Sequence, residues 1–377
     1  GQNLSSHALS FFHLSSPDFL LGYDSDPAKR NILGVAEKFP DLARRGIRLR
    51  QFGQELSERI TGKKIHIMGI VPGGMAFPLT EDNRKALLEW VPEAKETTLQ
   101  AIELIKRFQD ENREMVRTFA PSPTLYLGTV GPNGEHELYD GKLRFMDTDG
   151  NIIQDQVDPK NYLDFIAECS VSWSYLKYPY YKPFGFEKGI YRVGPLARLN
   201  VASQMKTPLA QKEFENYKAM CGGKPMHGTF YYHYTRLIEC LSDVEDAERI
   251  LNDPEVTSLH IQNFGRWNYD EGIGSSEAPR GTLFHHYKTD STGKLLMVNL
   301  LIATGQNNPS MNQSVLEVAR QYVKGDDIQE GMLNRVESTI RCYDPCLSCS
   351  THALGQMPMQ IEVLDAGGEL IKSVERN

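Results

Sequence analysis

The 377-residue sequence has few cysteines for its length, six in all, and Cys169, Cys221 and Cys240 stand singly. A disulfide scaffold is thereby excluded, and each isolated thiol reads as a small buried hydrophobe. Long apolar runs are missing as well: no stretch approaches the roughly 20 residues that a membrane span needs. Nor is there an excess of positive charge. Lys and Arg total 41 against 49 Asp and Glu, a formal net charge of −8, so nucleic acid and anionic membranes find no electrostatic footing. The absence of a signal peptide makes the cytoplasm the expected compartment. Neither a G-x-G-x-x-G fingerprint nor a phosphate loop occurs, so no nucleotide site is expected on this chain. An initiator methionine is lacking too. Gly1 leads straight into helical spacing at Leu4, Ala8, Phe11 and Phe12, the pattern of a chain whose beginning is missing.

What is present is mostly helical patterning. Apolar spacing predicts a buried helix over residues 4–14 that stops at Ser15-Ser16-Pro17-Asp18, another over 41–60, and a long amphipathic helix over 93–119. His7 and His13, in the first of these, read as satisfied core histidines. Further helices are expected over 229–251, followed by a polar loop to Ser276, and over 312–323 and 328–340. Short β segments interrupt them. Asp149-Gly150 lies between strand-like runs, residues 283–287 and 295–304 form a second hairpin around a turn at 290–293, and a third hairpin pattern closes the chain. Pro72-Gly73-Gly74 marks a turn where the backbone approaches something closely. The aromatics crowded over 162–191 have few basic neighbours and read as interior or interface packing. The expected class is therefore mainly α with inserted β hairpins, an α+β fold.

Chemistry concentrates in residues 341–352, RCYDPCLSCSTH. Two thiolates separated by two residues can turn onto one metal ion, or one can bind terminally while the other bridges to a second metal, and soft thiolates select transition metals over magnesium or calcium. Pro345 biases Asp344 toward an extended backbone, so a preceding helix is expected to stop just before Cys346 and Cys349. Spacing alone leaves open half a zinc site, a thioredoxin-like dithiol, or an iron-sulfur triad that counts Cys342. Pro279-Arg280-Gly281, at the mouth of the second hairpin, is either an ordinary exposed turn or a held guanidinium.

Taken together, SHALSFFHLSSPDFLLG, VGPLARLN, SEAPRGTLFHHY and RCYDPCLSCSTH resemble the large subunit of nickel-iron hydrogenases, most closely the cytoplasmic bidirectional NAD(P)-linked type of cyanobacteria, over essentially the whole chain. The C-terminal D-P-C-x-x-C-x-x-H signature is the specific part. The resemblance implies that Cys346 is a terminal nickel ligand and that Cys349 bridges nickel to an iron carrying carbon monoxide and cyanide. It sets Arg280 over the open face of the metals, paired with Asp344. Pro279 and Thr304 are implied to line the diatomic-ligand pocket, with the Leu300 carbonyl and His352 on a nearby magnesium ion. A permanently charged forked donor suits a dry pocket better than lysine, which readily loses its proton there. The activity implied is reversible heterolytic cleavage of H2, with catalytic roles for Arg280, Asp344 and Cys346.

The departures are equally informative. The family's second cysteine pair, R-x-C-G-x-C, has no counterpart here, because this sequence holds no other C-x-x-C; truncation is the expectation drawn. Ser6 is taken to stand where many membrane-bound relatives carry an aspartate. Residues 1–352 are read as the catalytic region lacking its N-terminal part, and 353–377 as an extension removed by a maturation endopeptidase. Because the single cysteines have no relay spacing, iron-sulfur clusters, flavin and NAD(P) are assigned to partners, namely diaphorase subunits and a hydrogenase small subunit. Two rivals differ in class. A noncatalytic subunit like the quinone-side core protein of complex I would lack the cysteine ligands, and a radical iron-sulfur enzyme would open a β/α barrel with its cysteines.

Overall fold

The computed structural model describes residues 1–265, 270–325, 327–346, 359–365 and 367–376. Long helices form its body. The helices Pro40–Thr61 and Val91–Glu111 bury one apolar stripe each, whereas Tyr232–Leu251 is buried on all sides from Tyr232 to Ser242. Leu49, Phe52 and Leu56 of the first meet Ala101, Ile102 and Ile105 of the second and Leu237, Ile238 and Leu241 of the third in a common core. Leu4, Ala8, Phe11 and Phe12 of the N-terminal segment complete it.

That N-terminal segment runs further than its sequence suggests. The helix Gln2–Ala8 widens into a π-helical stretch, Leu9–Ser15, and continues as Ser16–Leu20. Pro17 falls in the first turn of this last piece, where a missing N–H is tolerated, and the Ser16 hydroxyl donates to the Phe12 carbonyl at 2.6 Å. The Ser-Ser-Pro-Asp cluster therefore modifies the helix and does not end it. The long helix expected over 93–119 breaks once, at Asn112, whose side-chain amide donates to the Phe108 carbonyl at 3.0 Å before the chain resumes as Arg113–Thr118.

Among the described residues five small sheets are inserted between the helices; three are two-stranded hairpins, and the two larger ones bear on the site. In one, strands run in the order Ile152–Val157, Lys142–Met146, Leu125–Val130 and Tyr191–Arg192, antiparallel except for the last pair. In the other the order is Leu295–Leu301, Gly281–Thr289 and Glu271–Ala278. The last of these replaces part of the expected polar loop. Its sequence, EGIGSSEA, has little strand propensity, but Ala278 back to Glu271 pair residue by residue with Gly281–Lys288, so backbone pairing overrides composition. Aromatics of residues 162–191 divide between the two environments: Tyr162, Tyr178, Tyr181 and Tyr191 are buried, and Trp173 is 68% exposed.

The Gly73 turn is a close approach, as expected. Its φ is +89°, and the carbonyls of Gly73 and Ile261 accept N–H groups of Asn263 and Met75, each at 2.9 Å. Among the described residues, no helix is long and apolar enough to cross a membrane.

Two further corrections bear on the site. The strand expected over 295–304 ends at Leu301, and the helix expected from 312 begins at Ala303, running to Tyr322 with Pro309 inside it. The stretch GQNNPS reads as a loop because it is polar. In place it is buried, since the Gln306 amide donates to the Thr282 carbonyl, Gln306 Oε1 accepts from the Tyr191 hydroxyl at 2.9 Å, and Asn307 Oδ1 accepts the Val193 N–H at 2.9 Å. These side chains satisfy strand ends that would otherwise be buried unpaired. The other correction is Asp344. It closes the helix Glu330–Tyr343 in the left-handed region, φ 53° and ψ 50°, and not in the extended one. Aspartate visits this region more readily than most residues, at a cost of about 1 kcal/mol. The helix continues through Cys342 and ends before Cys346, as the proline requires.

Candidate metal centre

The turn that carries Arg280 is a two-residue link between paired Ala278 and Gly281. Gly281, at φ +141°, lies against Val193, where a Cβ would collide with the valine side chain. From this turn the Arg280 guanidinium reaches the end of the Glu330–Tyr343 helix. Its Nε donates to the Asp344 carbonyl and its Nη2 to Asp344 Oδ1 at 3.3 Å. The expected Arg280–Asp344 pair is thus formed, and it offsets the left-handed backbone at Asp344. Burial pushes the Asp344 carboxyl above the ordinary range, and Arg236 and Arg280 hold it part of the way back.

Thr304 joins the same group. Buried in the first turn of its helix, it accepts the Cys346 N–H on its hydroxyl oxygen at 3.2 Å. Its own hydroxyl hydrogen therefore stays available as a donor. Pro279 lies beside Arg280, with its carbonyl accepting from Arg198 at 3.2 Å. Leu300 sits one residue from the end of the edge strand Leu295–Leu301, opposite His285. Among the described residues no hydrogen bond or ion pair joins it to the Arg280–Asp344 pair. Cys349 and His352 lie outside the described residues. Ligation would use Cys346 as its thiolate.

Cys342 has a different setting. It is fully buried, its sulfur lies 3.4 Å from His233 Nε2, and burial pushes its thiol well up. This is a structural helical thiol, not a third ligand in a turn. Of the single cysteines, Cys240 is buried as expected, whereas Cys169 and Cys221 are only partly so.

A cavity of about 570 Å³ flanks Asp344 and Pro345, walled also by His13, Pro17, Asp18 and Arg341. Asp18 is buried and accepts Arg341 at 2.7 and 2.8 Å and Arg30 at 2.9 Å. Ser10, one turn beyond Ser6, is buried and lies near enough to Asp344 to lower its carboxyl somewhat. Ser10 Oγ and Asp344 Oδ2 are both buried without a hydrogen-bond partner of their own.

Behind the turn lies a network that sequence reasoning missed. Arg198, fully buried, donates to Glu239 through Nε and Nη2 at 2.7 and 2.6 Å and to Glu277 through Nη1 at 2.8 Å. His7 and His136 each present Nε2 to Glu239, at 2.9 and 3.0 Å. Burial would raise the Glu239 carboxyl, but the charge and hydrogen bonds of Arg198 with those of the two histidines hold it well below the ordinary range. A carboxylate only accepts, so both histidines carry a hydrogen on Nε2. His7 is thus partnered through Nε2 alone, its buried Nδ1 having no partner among the described residues; His13 is only partly buried. The available signal was an arginine set among apolar residues in PLARLNV, and a glutamate in RLIECL.

A nickel-dependent hydrogenase family model matches residues 129–352. The chain belongs to that family. It is 40% identical to the NAD-reducing hydrogenase HoxS subunit beta of Cupriavidus necator, over 98% of this chain and 78% of that relative. It is also 40% identical to an F420-non-reducing hydrogenase subunit of the vhu type from Methanocaldococcus jannaschii, over 86% and 77% of the two chains. A crystal structure of NAD+-reducing [NiFe]-hydrogenase in the H2-reduced state superposes with a TM-score of 0.90 at 40% identity, covering 93% of this chain and 78% of that one. The Ni-Fe-Se hydrogenase of D. vulgaris Hildenborough, at 20% identity and a TM-score of 0.70, shares the fold. A nickel-iron hydrogenase subunit of mainly helical architecture with inserted hairpins is what these likenesses establish.

The residues present fit one side of a thiolate-held metal group, and among the described residues no three His, Cys, Asp or Glu side chains form a complete metal site. Cys346 is anchored through its amide, and the Arg280–Asp344 charged pair stands beside it. Two more buried guanidiniums, Arg192 and Arg236, donate only to neutral acceptors: the His227 and Ser122 carbonyls, and the Cys342 and Tyr232 carbonyls with His233. Uncharged acceptors leave positive potential in the interior, which favours an anionic group nearby.

Proposed function

We propose that this chain is the catalytic large subunit of a bidirectional nickel-iron hydrogenase, interconverting H2 with protons and electrons and exchanging the electrons with NAD(P) through partner subunits. The observation that carries the reading is that Thr304 accepts the Cys346 N–H while Arg280 is held on Asp344, two residues before it. Likeness to an NAD-reducing relative supports the acceptor.

In this reading Cys346 and Cys349 would hold a nickel-iron group whose iron carries carbon monoxide and cyanide. When bound, such a group supplies heterolytic cleavage of H2. The chain's own contributions are distinct. Arg280 keeps a fixed positive charge and spare N–H donors at the open side, because guanidinium does not lose its proton under these conditions. Asp344 orients that fork. Thr304 restrains the Cys346 amide and keeps a hydroxyl hydrogen for a bound acceptor, and Pro279 walls the pocket without adding a donor. The Leu300 carbonyl and His352 are assigned to magnesium.

Electrons have no path of iron-sulfur spacing on this chain. Cys169 lies in the strand Ile166–Val171, Cys221 follows the helix Pro208–Met220, and Cys240 is inside Tyr232–Leu251. A small subunit with iron-sulfur clusters and diaphorase subunits with flavin and NAD(P) complete the reaction, in the cytoplasm. Residues 353–377 are a maturation extension cut off by an endopeptidase after His352. The deciding experiment is nickel and iron analysis of the complex purified with the full-length gene product, which is expected to supply the second cysteine pair that this sequence lacks, together with H2-dependent NAD(P) reduction. Loaded metal with coupled reduction is expected, and a metal-free, inactive complex would refute the reading.

A further inference from the structure

Arg198 belongs to VGPLARLN, a stretch that the reaction itself leaves without a task. We infer that Arg198 is the positioning residue for Arg280, an inference that rests on the role just proposed for Arg280. Every N–H of its guanidinium is used. Nε donates to Glu239 Oε1, and Nη2 to Glu239 Oε2 and the Pro279 carbonyl. Nη1 donates to Glu277 Oε2 and, at 2.9 Å, to the Ala278 carbonyl. Two of its five hydrogen bonds therefore fall on the two carbonyls that immediately precede Arg280.

The far side of this clamp is rigid. Glu239 is held by His7 and His136, and Glu277 by the Thr129 N–H at 3.0 Å and the Thr282 hydroxyl at 2.8 Å. Arg198 is also the residue that closes the first helical turn on Gly194, its N–H donating to the Gly194 carbonyl at 2.9 Å. Gly194 itself, at φ +92°, lies against the Arg280 carbonyl, which a Cβ would approach to 2.8 Å. From the other side, Asn307 Nδ2 donates to the Arg280 carbonyl at 3.3 Å. The backbone at Arg280 is fixed on both flanks, and Arg198 touches neither Asp344 nor Cys346.

A lysine has three donors on a single nitrogen and cannot hold two carboxylates and two carbonyls in one plane. Replacing Arg198 by lysine keeps the charge but releases at least one turn carbonyl, and the freedom gained at Pro279 is carried out along the Arg280 side chain. Displacement of about 1 Å in such a group costs on the order of a hundredfold in rate.

The test uses the purified metal-loaded complex and four forms of the full-length gene product, numbered as here: wild type, R198K, R280K and the double variant. Nickel content, kcat and KM for H2, and deuterium uptake over residues 277–284 are measured on each. R198K is expected to keep its nickel and KM, to lose about tenfold or more in kcat, and to take up deuterium faster at that turn. In the R280K background the same change is expected to alter kcat by less than about twofold, because two substitutions acting through one group are not additive. An equal kcat loss in both backgrounds, or wild-type kcat with unchanged uptake, overturns the inference. Should R198K not assemble, E277Q, which removes one anchor of the clamp, is put through the same cycle with the same expectation. If R280K retains wild-type kcat, the reading of Arg280 fails on its own, and uptake at 277–284 still decides whether Arg198 holds the turn.

Discussion

The Cys346 amide and the Thr304 hydroxyl oxygen are hydrogen-bonded at 3.2 Å across 42 residues of sequence. This bond ties the start of one helix to the turn that ends another, and it spends the acceptor of Thr304 while leaving its donor free. Thr304→Val keeps the shape and removes both functions. Leaving the Cys346 N–H without its acceptor costs about 1 kcal/mol. Metal binding or turnover is expected to fall about tenfold, the usual scale for losing a group that orients a ligand. Thr304→Ser, which restores the hydroxyl, is expected to stay near wild type. Nickel content and H2 oxidation of the purified complex check this, and a fully active valine variant would show the bond to be incidental.

Cys346→Ser exchanges a soft ligand for a hard one at the centre of the proposed site. Alcohol oxygen is a poor match for nickel in a sulfur environment, so nickel is expected to fall about tenfold or more, with H2 oxidation lost alongside it. The contact with Thr304 is through the backbone and persists in the variant. Metal analysis together with thermal unfolding separates ligand loss from misfolding, and unchanged nickel in a folded variant would remove Cys346 from the ligand set.

His7 gives a prediction about pH. Burial holds its imidazole at about 4, below the ordinary 6.5, against the opposing pull of Glu239. Between those values the unfolded chain takes up a proton that the folded chain refuses. The associated stability is whole above pH 6.5 and is lost as pH falls toward 4. At about 1.4 kcal/mol per pH unit the loss by pH 5 is roughly 2 kcal/mol. His233, whose pKa burial and Arg236 also drive well down, adds to it in the same direction. Thermal unfolding between pH 7 and 5 is expected to show this decline, and His7→Gln, which can still donate to Glu239, is expected to lessen it. Identical slopes for the two proteins would contradict the assignment.

Legibility from sequence followed the range of the forces involved. The helical stripes, the Asp149-Gly150 turn and the stop before Cys346 are local consequences of side-chain spacing and backbone sterics, and all three are present. Arg280 and Asp344 were paired through a family likeness, and no local rule joins residues 64 positions apart. The Arg198 network stayed hidden for the same reason: its carboxylates lie 41 and 79 residues away, so each charge read alone was a lone buried polar group. Thr304 and Asp344 were misread because tertiary bonds overrode local preference. Gln306 and Asn307 turn a loop-like sequence into helix, and the Arg280 fork holds Asp344 in a conformation that the following proline argued against.

The last prediction concerns the end of the chain. Met359–Leu364 and Leu370–Arg376 pair with each other as an antiparallel hairpin, and neither strand belongs to the sheets that carry the site. Leu364, Leu370 and Ile371 are about half exposed, and the hairpin is tied back by Lys372 to Asp327 at 3.9 Å, an exposed pair of little energetic weight. If it is a maturation extension, chain isolated from active complex will have the intact mass of a product ending at His352, with residues 353–377 absent. Chain isolated without nickel in the growth medium will retain them, because cutting is proposed to follow metal insertion. Fully active complex whose chain still ends at Asn377 would rule cleavage out and make the hairpin a permanent part of the fold.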